Sequence, residues 1–169
     1  MSIKISVVLD WEEEDVIRHL LVPENLDLES LHTAIAQSFQ LALGEMASFY
    51  RSDEAWEQGE EIPLMPFDPN QHSMKELKAG ELLGQVGNRM LYVYDFLEMW
   101  TFFIETIEIS AQETEGVKVV LMNGQRPKEA PPRPEAQDQN KGLFDDLDLD
   151  LGEFDDLDDY WSFSTSLLN

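Results

Sequence analysis

Apolar residues near the N-terminus fall at alternate positions: Ile3, Ile5 and Val7, followed by Val8 and Leu9 as an unbroken pair. That pattern predicts a strand with one well-buried face. Residues 10–15 are polar apart from Trp11 and form a turn, and residues 16–22 give a second apolar run. The two runs are close enough to pair as a hairpin with Trp11 near the bend. Pro23 ends the second strand, because it has no N–H to give to a ladder.

The next segment has helical spacing. Leu28, Leu31, Ile35 and Phe39 share a stripe, with Ala34 and Ala42 half a turn away. Asp27 or Ser30 can cap its start, His32 lies about a quarter-turn off the stripe, and Gly44 offers a stop. Residues 46–51 read as a short strand with Phe49 and Tyr50 on opposite faces. Residues 53–73 form a loop punctuated by Pro63, Pro66 and Pro69, and Trp56, Leu64, Met65 and Phe67 suggest that it packs against the body. Ser73 precedes a short helix or turn that ends near residues 80–84 and is anchored by Leu77, Leu82 and Leu83.

The densest apolar stretch spans residues 89–109. Residues 90–94 form a strand, Asp95 interrupts it, and residues 100–109 resume with strong β-formers. Phe102, Ile104 and Thr106 fall on one face, and Phe103, Glu105 and Ile107 on the other. Residues 112–116 make a turn, and residues 117–122 are expected to return as the second strand of a hairpin. Asn123-Gly124 is a further turn signal.

The composition then changes. Residues 127–141 carry four prolines and almost no large apolar groups, as a linker does. Residues 142–169 contain nine Asp and Glu and no Lys or Arg. Burying a carboxylate costs far more than burying a leucine recovers, so this end is expected to be a solvated, largely disordered acidic tail. Leucines and aromatics are nevertheless interleaved with the acids, and the aromatic end holds Phe154, Tyr160, Trp161 and Phe163. Acidic–hydrophobic alternation suits a peptide-like arm that docks into a partner or onto its own body, with those rings as anchors. A tail that only raises solubility has the same composition.

The formal net charge is −24, with only 11 Lys and Arg. Phosphate contacts need cations, so no direct binding to nucleic acid or an anionic membrane is expected. A basic protein partner fits the charge, as does simple solubility. There is no cysteine, which excludes disulfides and thiolate chemistry. The N-terminus lacks the form of a signal peptide, and no window reaches the roughly 18 apolar residues of a span. A cytoplasmic protein is expected.

No catalytic motif stands out. His19, His32 and His72 lack metal-ligand spacing. An EF-hand loop beginning at Asp146 would need Gly and Glu where Leu151 and Leu157 stand. Gly80, Gly84 and Gly87 precede a strand rather than a phosphate-binding helix, and read as turn residues. No cofactor or metal is expected. The candidate acids are Asp95, Glu98 and Glu105. Asp95 interrupts an apolar run beside Trp100, where desolvation would raise its pKa. The same residue suits a turn cap that uses its side-chain oxygens. The aromatics between Tyr92 and Phe103 lack the basic groove that a base-stacking surface needs.

The stretch LYVYDFLEMWTFFIETIEI at residues 91–109 resembles the signature YDFGDxWxHxIxVE of the plasmid pRiA4b Orf-3-like family. LESLHTAIAQSFQL resembles that family's helix, and LKAGELLGQVGNRMLYVYDF and GQRPKEAPPRPE resemble the segments on either side of the signature. The resemblance covers roughly residues 1–135. Tyr94, Asp95, Phe96, Trp100, Ile104 and Glu105 keep the pattern. Leu97 replaces its Gly, and Phe102 and Phe103 stand where it has His, which degrades any polar site built there. The resemblance implies an α+β domain, a mostly antiparallel or mixed sheet with helices on one face, here over residues 1–126. It implies no established reaction, and some family members are encoded near mobile elements.

Two main functions follow from these residues. A binding module with Trp100 and the tail aromatics as contacts should show exposed apolar surface or an unpaired strand edge. A hydrolase using Asp95 should show a cleft with a second polar group aimed inward. A third, an acidic protein that imitates DNA, should present carboxylates spaced like phosphates across one face.

Overall fold

The computed structural model describes residues 1–132. The rest of the linker and the acidic tail, with Phe154, Tyr160, Trp161 and Phe163, lie outside the described residues. The described chain is a small α+β domain built on one seven-stranded sheet in the order β4-β3-β5-β6-β1-β2-β7, and every pairing is antiparallel. The strands are β1 (Ser2–Leu9), β2 (Ile17–Pro23), β3 (Ala47–Arg51), β4 (Glu61–Pro63), β5 (Arg89–Tyr94), β6 (Trp100–Ser110) and β7 (Lys118–Asn123). The helices are α1 (Leu28–Ser38) and the short α2 (Ala79–Leu83), which a 3-10 turn at Met74–Glu76 precedes.

Alternation decides which face is buried. Ile3, Ile5, Val7 and Leu9 of β1 are buried together with Leu20 and Val22 of β2, Tyr92 of β5, and Phe102 and Ile104 of β6. Leu28, Leu31, Ile35 and Phe39 of the α1 segment cover them, with the Phe39 and Phe102 ring centroids 4.6 Å apart. Thr106 of β6 donates to the Leu83 carbonyl of α2 at 2.8 Å, so both helices lie on this face. Asp27 caps α1 by accepting from the Ser30 amide at 3.1 Å, which stabilises the helix by about 1 kcal/mol.

Helix α1 stops earlier than Gly44. Gln40 takes a left-handed conformation (φ +58°), with its N–H on the Gln37 carbonyl and the Leu41 N–H on that of Ala36. Both bonds belong to a Schellman ending, here with Gln in the usual glycine place. The last carbonyls of the helix are taken by two arginines. Arg18 Nε donates to Ser38 O at 2.8 Å, and Arg126 donates to Phe39 O at 2.8 Å and Gln40 O at 2.9 Å.

Three local expectations need correction. Strand β7 does not form a hairpin with β6. It pairs with β2, because β5 and β1 already occupy both edges of β6, and the returning chain must cross to the free edge of β2. The 53–73 loop contains β4, which pairs with β3. Within that loop Trp56 and Leu64 pack, but Met65 and Phe67 are exposed. Finally, His32 is buried, because the inner face of α1 is wider than its leucine stripe.

Candidate functional site

Asp95 sits at the β5–β6 turn in a left-handed conformation (φ +62°). Its Oδ1 accepts from the amides of Leu97 (3.1 Å) and Glu98 (3.3 Å), and its own N–H donates to Met46 O at 2.8 Å. Both arrangements hold a turn. Glu98 is exposed beside it. Glu105 lies at the far end of the hairpin, since Tyr94 is opposite Trp100 and Arg89 is opposite Glu105. The fold therefore keeps Asp95 and Glu105 apart, and Glu105 pairs with Arg89 Nε at 3.4 Å. Trp100 is buried on the helix face, with the Arg126 guanidinium 5.2 Å from its ring centroid. Among the described residues no three His, Asp or Glu converge as metal ligands would.

The side of the sheet away from the helices is partly covered by the 53–60 loop. Trp56 meets Phe103 edge-on at 5.0 Å and carries the Arg89 guanidinium 4.6 Å above its ring. A polar cleft of about 970 Å³ opens between this loop and the α2–β5 turn, lined by Arg51, Asp53, Glu81, Gln85, Asn88 and Arg89. Its two arginines are already paired, Arg51 with Glu60 at 2.7 Å and Arg89 with Glu105.

A buried polar pair escaped the sequence reading. His32 Nδ1 and the Tyr92 hydroxyl are 2.5 Å apart inside the core. Burial pushes His32 below the ordinary histidine range and Tyr92 well above the ordinary phenol range, so each is neutral near pH 7. The spacing of His32 four residues after Leu28 and three before Ile35 is the signal that marks it as inward-facing.

The two sheet edges differ sharply. Strand β4 is three residues long and ends in Pro63, and its Glu61 accepts from Ser48 Oγ at 2.7 Å. Shortness, charge and proline all blunt an edge. Strand β7 has six residues, every one of them exposed. Val119, Val120, Leu121 and Met122 are 44%, 49%, 42% and 62% exposed, side by side. Lys118 and an irregularity opposite His19 and Leu20 are its local protection.

This exposed strand is firmly anchored at one end. Asn123 Nδ2 donates to Asp15 O at 3.0 Å, and Arg18 donates to the carbonyls of Asn123 (3.2 Å) and Gly124 (3.0 Å). Gly124 has φ +77°, and a Cβ there would lie 2.5 Å from Asp15 O. Among the described residues no helix is long and apolar enough to cross a membrane.

No curated protein matches the chain. Its fold is similar to that of the crystal structure of a protein of unknown function, MM3350, from Methanosarcina mazei Go1. That likeness has a TM-score of 0.61 at 19% identity and covers 89% of this chain and 88% of the other. The family model described as plasmid pRiA4b ORF-3-like protein matches residues 1–133, which takes in the whole sheet and both helices, and the chain belongs to that family.

Proposed function

We propose that this chain is a non-enzymatic protein-interaction domain that receives an extended segment of a partner along the outer edge of β7. The observation that carries this reading is the row of four adjacent exposed apolar residues on a six-residue edge strand. A partner strand would gain main-chain hydrogen bonds there, each with a net value of roughly 0.5–1.5 kcal/mol, and would cover the valines and Met122. The net charge of −24 favours a partner rich in Lys and Arg. The placement of Asp95 in a turn and Glu105 against Arg89 gives a carboxylate-based hydrolase less support.

A capture experiment tests this. The wild-type chain and the double variant Val120→Lys/Met122→Lys are compared as bait, with Leu97→Lys on the distant β5–β6 turn as control. A partner held by wild type and by Leu97→Lys, but lost with the β7 variant, supports the reading. A partner retained equally by all three places the interface elsewhere.

A further inference from the structure

At the end of β7 lies a second cleft, of about 510 Å³, where α1 also terminates. Arg18, Phe39, Met122, Arg126 and Lys128 line it, and no Asp or Glu does. Four other clefts are each lined by acid: Asp53 and Glu81 in the polar cleft, Glu108 and Glu113 beside β1, Glu29 beside α1, and Glu57 beside Trp56. In a chain with 35 acidic and 11 basic residues, this is a local reversal of charge.

Among the described residues, no ion pair joins the cations of this cleft to a carboxylate. Ion pairs elsewhere join Arg51 to Glu60, Arg89 to Glu105, Lys4 to Glu108 and Lys75 to Glu29. Arg18 and Arg126 instead spend donors on backbone carbonyls at the end of α1. The helix terminus carries a partial charge of only about −0.5, so two guanidiniums and the exposed Lys128 ammonium leave a positive excess even after the adjacent Glu129 is counted. Apolar surface accompanies the charge in Met122, exposed at the mouth, while the buried Phe39 ring, 4.7 Å from the Arg18 guanidinium, forms the floor.

The sequence supplies a matching ligand. Residues 144–151 read FDDLDLDL, in which Asp146, Asp148 and Asp150 alternate with Leu147, Leu149 and Leu151. In an extended conformation this puts carboxylates on one side and leucines on the other. The described residues end at Pro132, four positions after Lys128. The stretch from Pro132 to Phe144 reaches up to about 40 Å when extended and averages about 20 Å when flexible. Such a tether gives an effective concentration on the order of millimolar, and the acidic surface elsewhere on the body repels the segment.

We propose that residues 144–151 dock in the cleft formed by Arg126, Lys128 and Met122 of the same molecule. The carboxylates meet the exposed Lys128 ammonium and the half-buried Arg126 guanidinium, and the leucines cover Met122. The acidic arm is thereby an intramolecular ligand of the domain's one acid-free cleft among those described. The inference rests on the charge of that cleft and not on the proposed β7 interface, although the arm and a partner strand would compete for Met122.

Because the chain has no cysteine, a single Gly152→Cys substitution allows one nitroxide to be placed beside the segment in the full-length protein. Paramagnetic broadening of backbone amides in the ¹⁵N-labelled chain then locates the arm. The expected result is broadening concentrated at Met122, Gln125 and Lys128, lost at about 0.5 M salt, where screening is nearly complete. It is also lost in Lys128→Glu and, independently, in the arm variant Asp146→Asn/Asp148→Asn/Asp150→Asn. Broadening spread evenly over the body, centred elsewhere, or insensitive to salt and to both variants would overturn the proposal. So would broadening that passes, in a mixed sample, from a nitroxide-bearing chain without ¹⁵N to a ¹⁵N chain without nitroxide, since that assigns the contact to a second copy.

Discussion

Arg18 Nε donates to the carbonyl oxygen of Ser38 at 2.8 Å, tying the second strand of the sheet to the last turn of its main helix. The same guanidinium holds Asn123 and Gly124, so one side chain joins β2, α1 and the end of β7. Arg18 is buried, and burial lowers its pKa. Arg18→Met should cost roughly 2–4 kcal/mol, because it leaves several carbonyls without donors. Arg18→Lys should fall between, since an ammonium lacks the planar fork. Urea midpoints with an unchanged slope would measure both.

The His32–Tyr92 pair predicts a pH dependence with a definite sign. Burial lowers the folded-state pKa of His32 from its ordinary 6.5, so the unfolded chain binds more protons below that pH. The stability this group contributes is complete above about pH 6.5 and declines as the pH falls toward the folded-state value. The slope approaches roughly 1.4 kcal/mol per pH unit for one proton. His19 is shifted in the same direction by burial and Lys4, so the comparison is with His32→Gln, which should flatten the profile below about pH 6.5. An unchanged profile in that variant would remove His32 as the source.

Tyr92→Phe removes the hydroxyl and strands His32 Nδ1 in the core. Its cost should be roughly 1–3 kcal/mol, the range for a buried polar atom left unpaired. The double variant His32→Phe/Tyr92→Phe should be less destabilised than the two single effects summed, because both polar partners leave together. A thermodynamic cycle in urea reads this coupling.

Two glycines with positive φ separate backbone strain from steric clash. Gly116 (φ +66°) has open space where an alanine methyl would sit, whereas at Gly124 that methyl would strike Asp15 O. Gly116→Ala should cost about 1 kcal/mol from backbone strain alone. Gly124→Ala should cost more and should loosen β7 selectively, visible as faster amide exchange at Leu121 and Asn123.

Much of the fold is legible in local pattern. Strict alternation marks β1 and the inner face of β6, and Asp27 with its leucine stripe marks the start of α1. The destination of β7 is not legible, because it depends on β5 and β1 having filled both edges of β6, a fact about distant pairing. Strand β4 is too short to show a period. The turn role of Asp95 is open to sequence reasoning, while the separation of Asp95 from Glu105 needs the strand register. The charge reversal around Arg126 and Lys128 is invisible in a chain whose totals are so acidic, because Arg18 arrives there from over a hundred residues away.

The interaction reading is tested most directly at Val120. A photo-crosslinking amino acid is placed there, and a second at Val86, which is also exposed but lies on the α2–β5 turn. In the cells that make the chain, irradiation should give a discrete adduct to another protein from position 120 and not from position 86. Adducts of equal yield from both positions, or from Val86 alone, would contradict β7 as the interface.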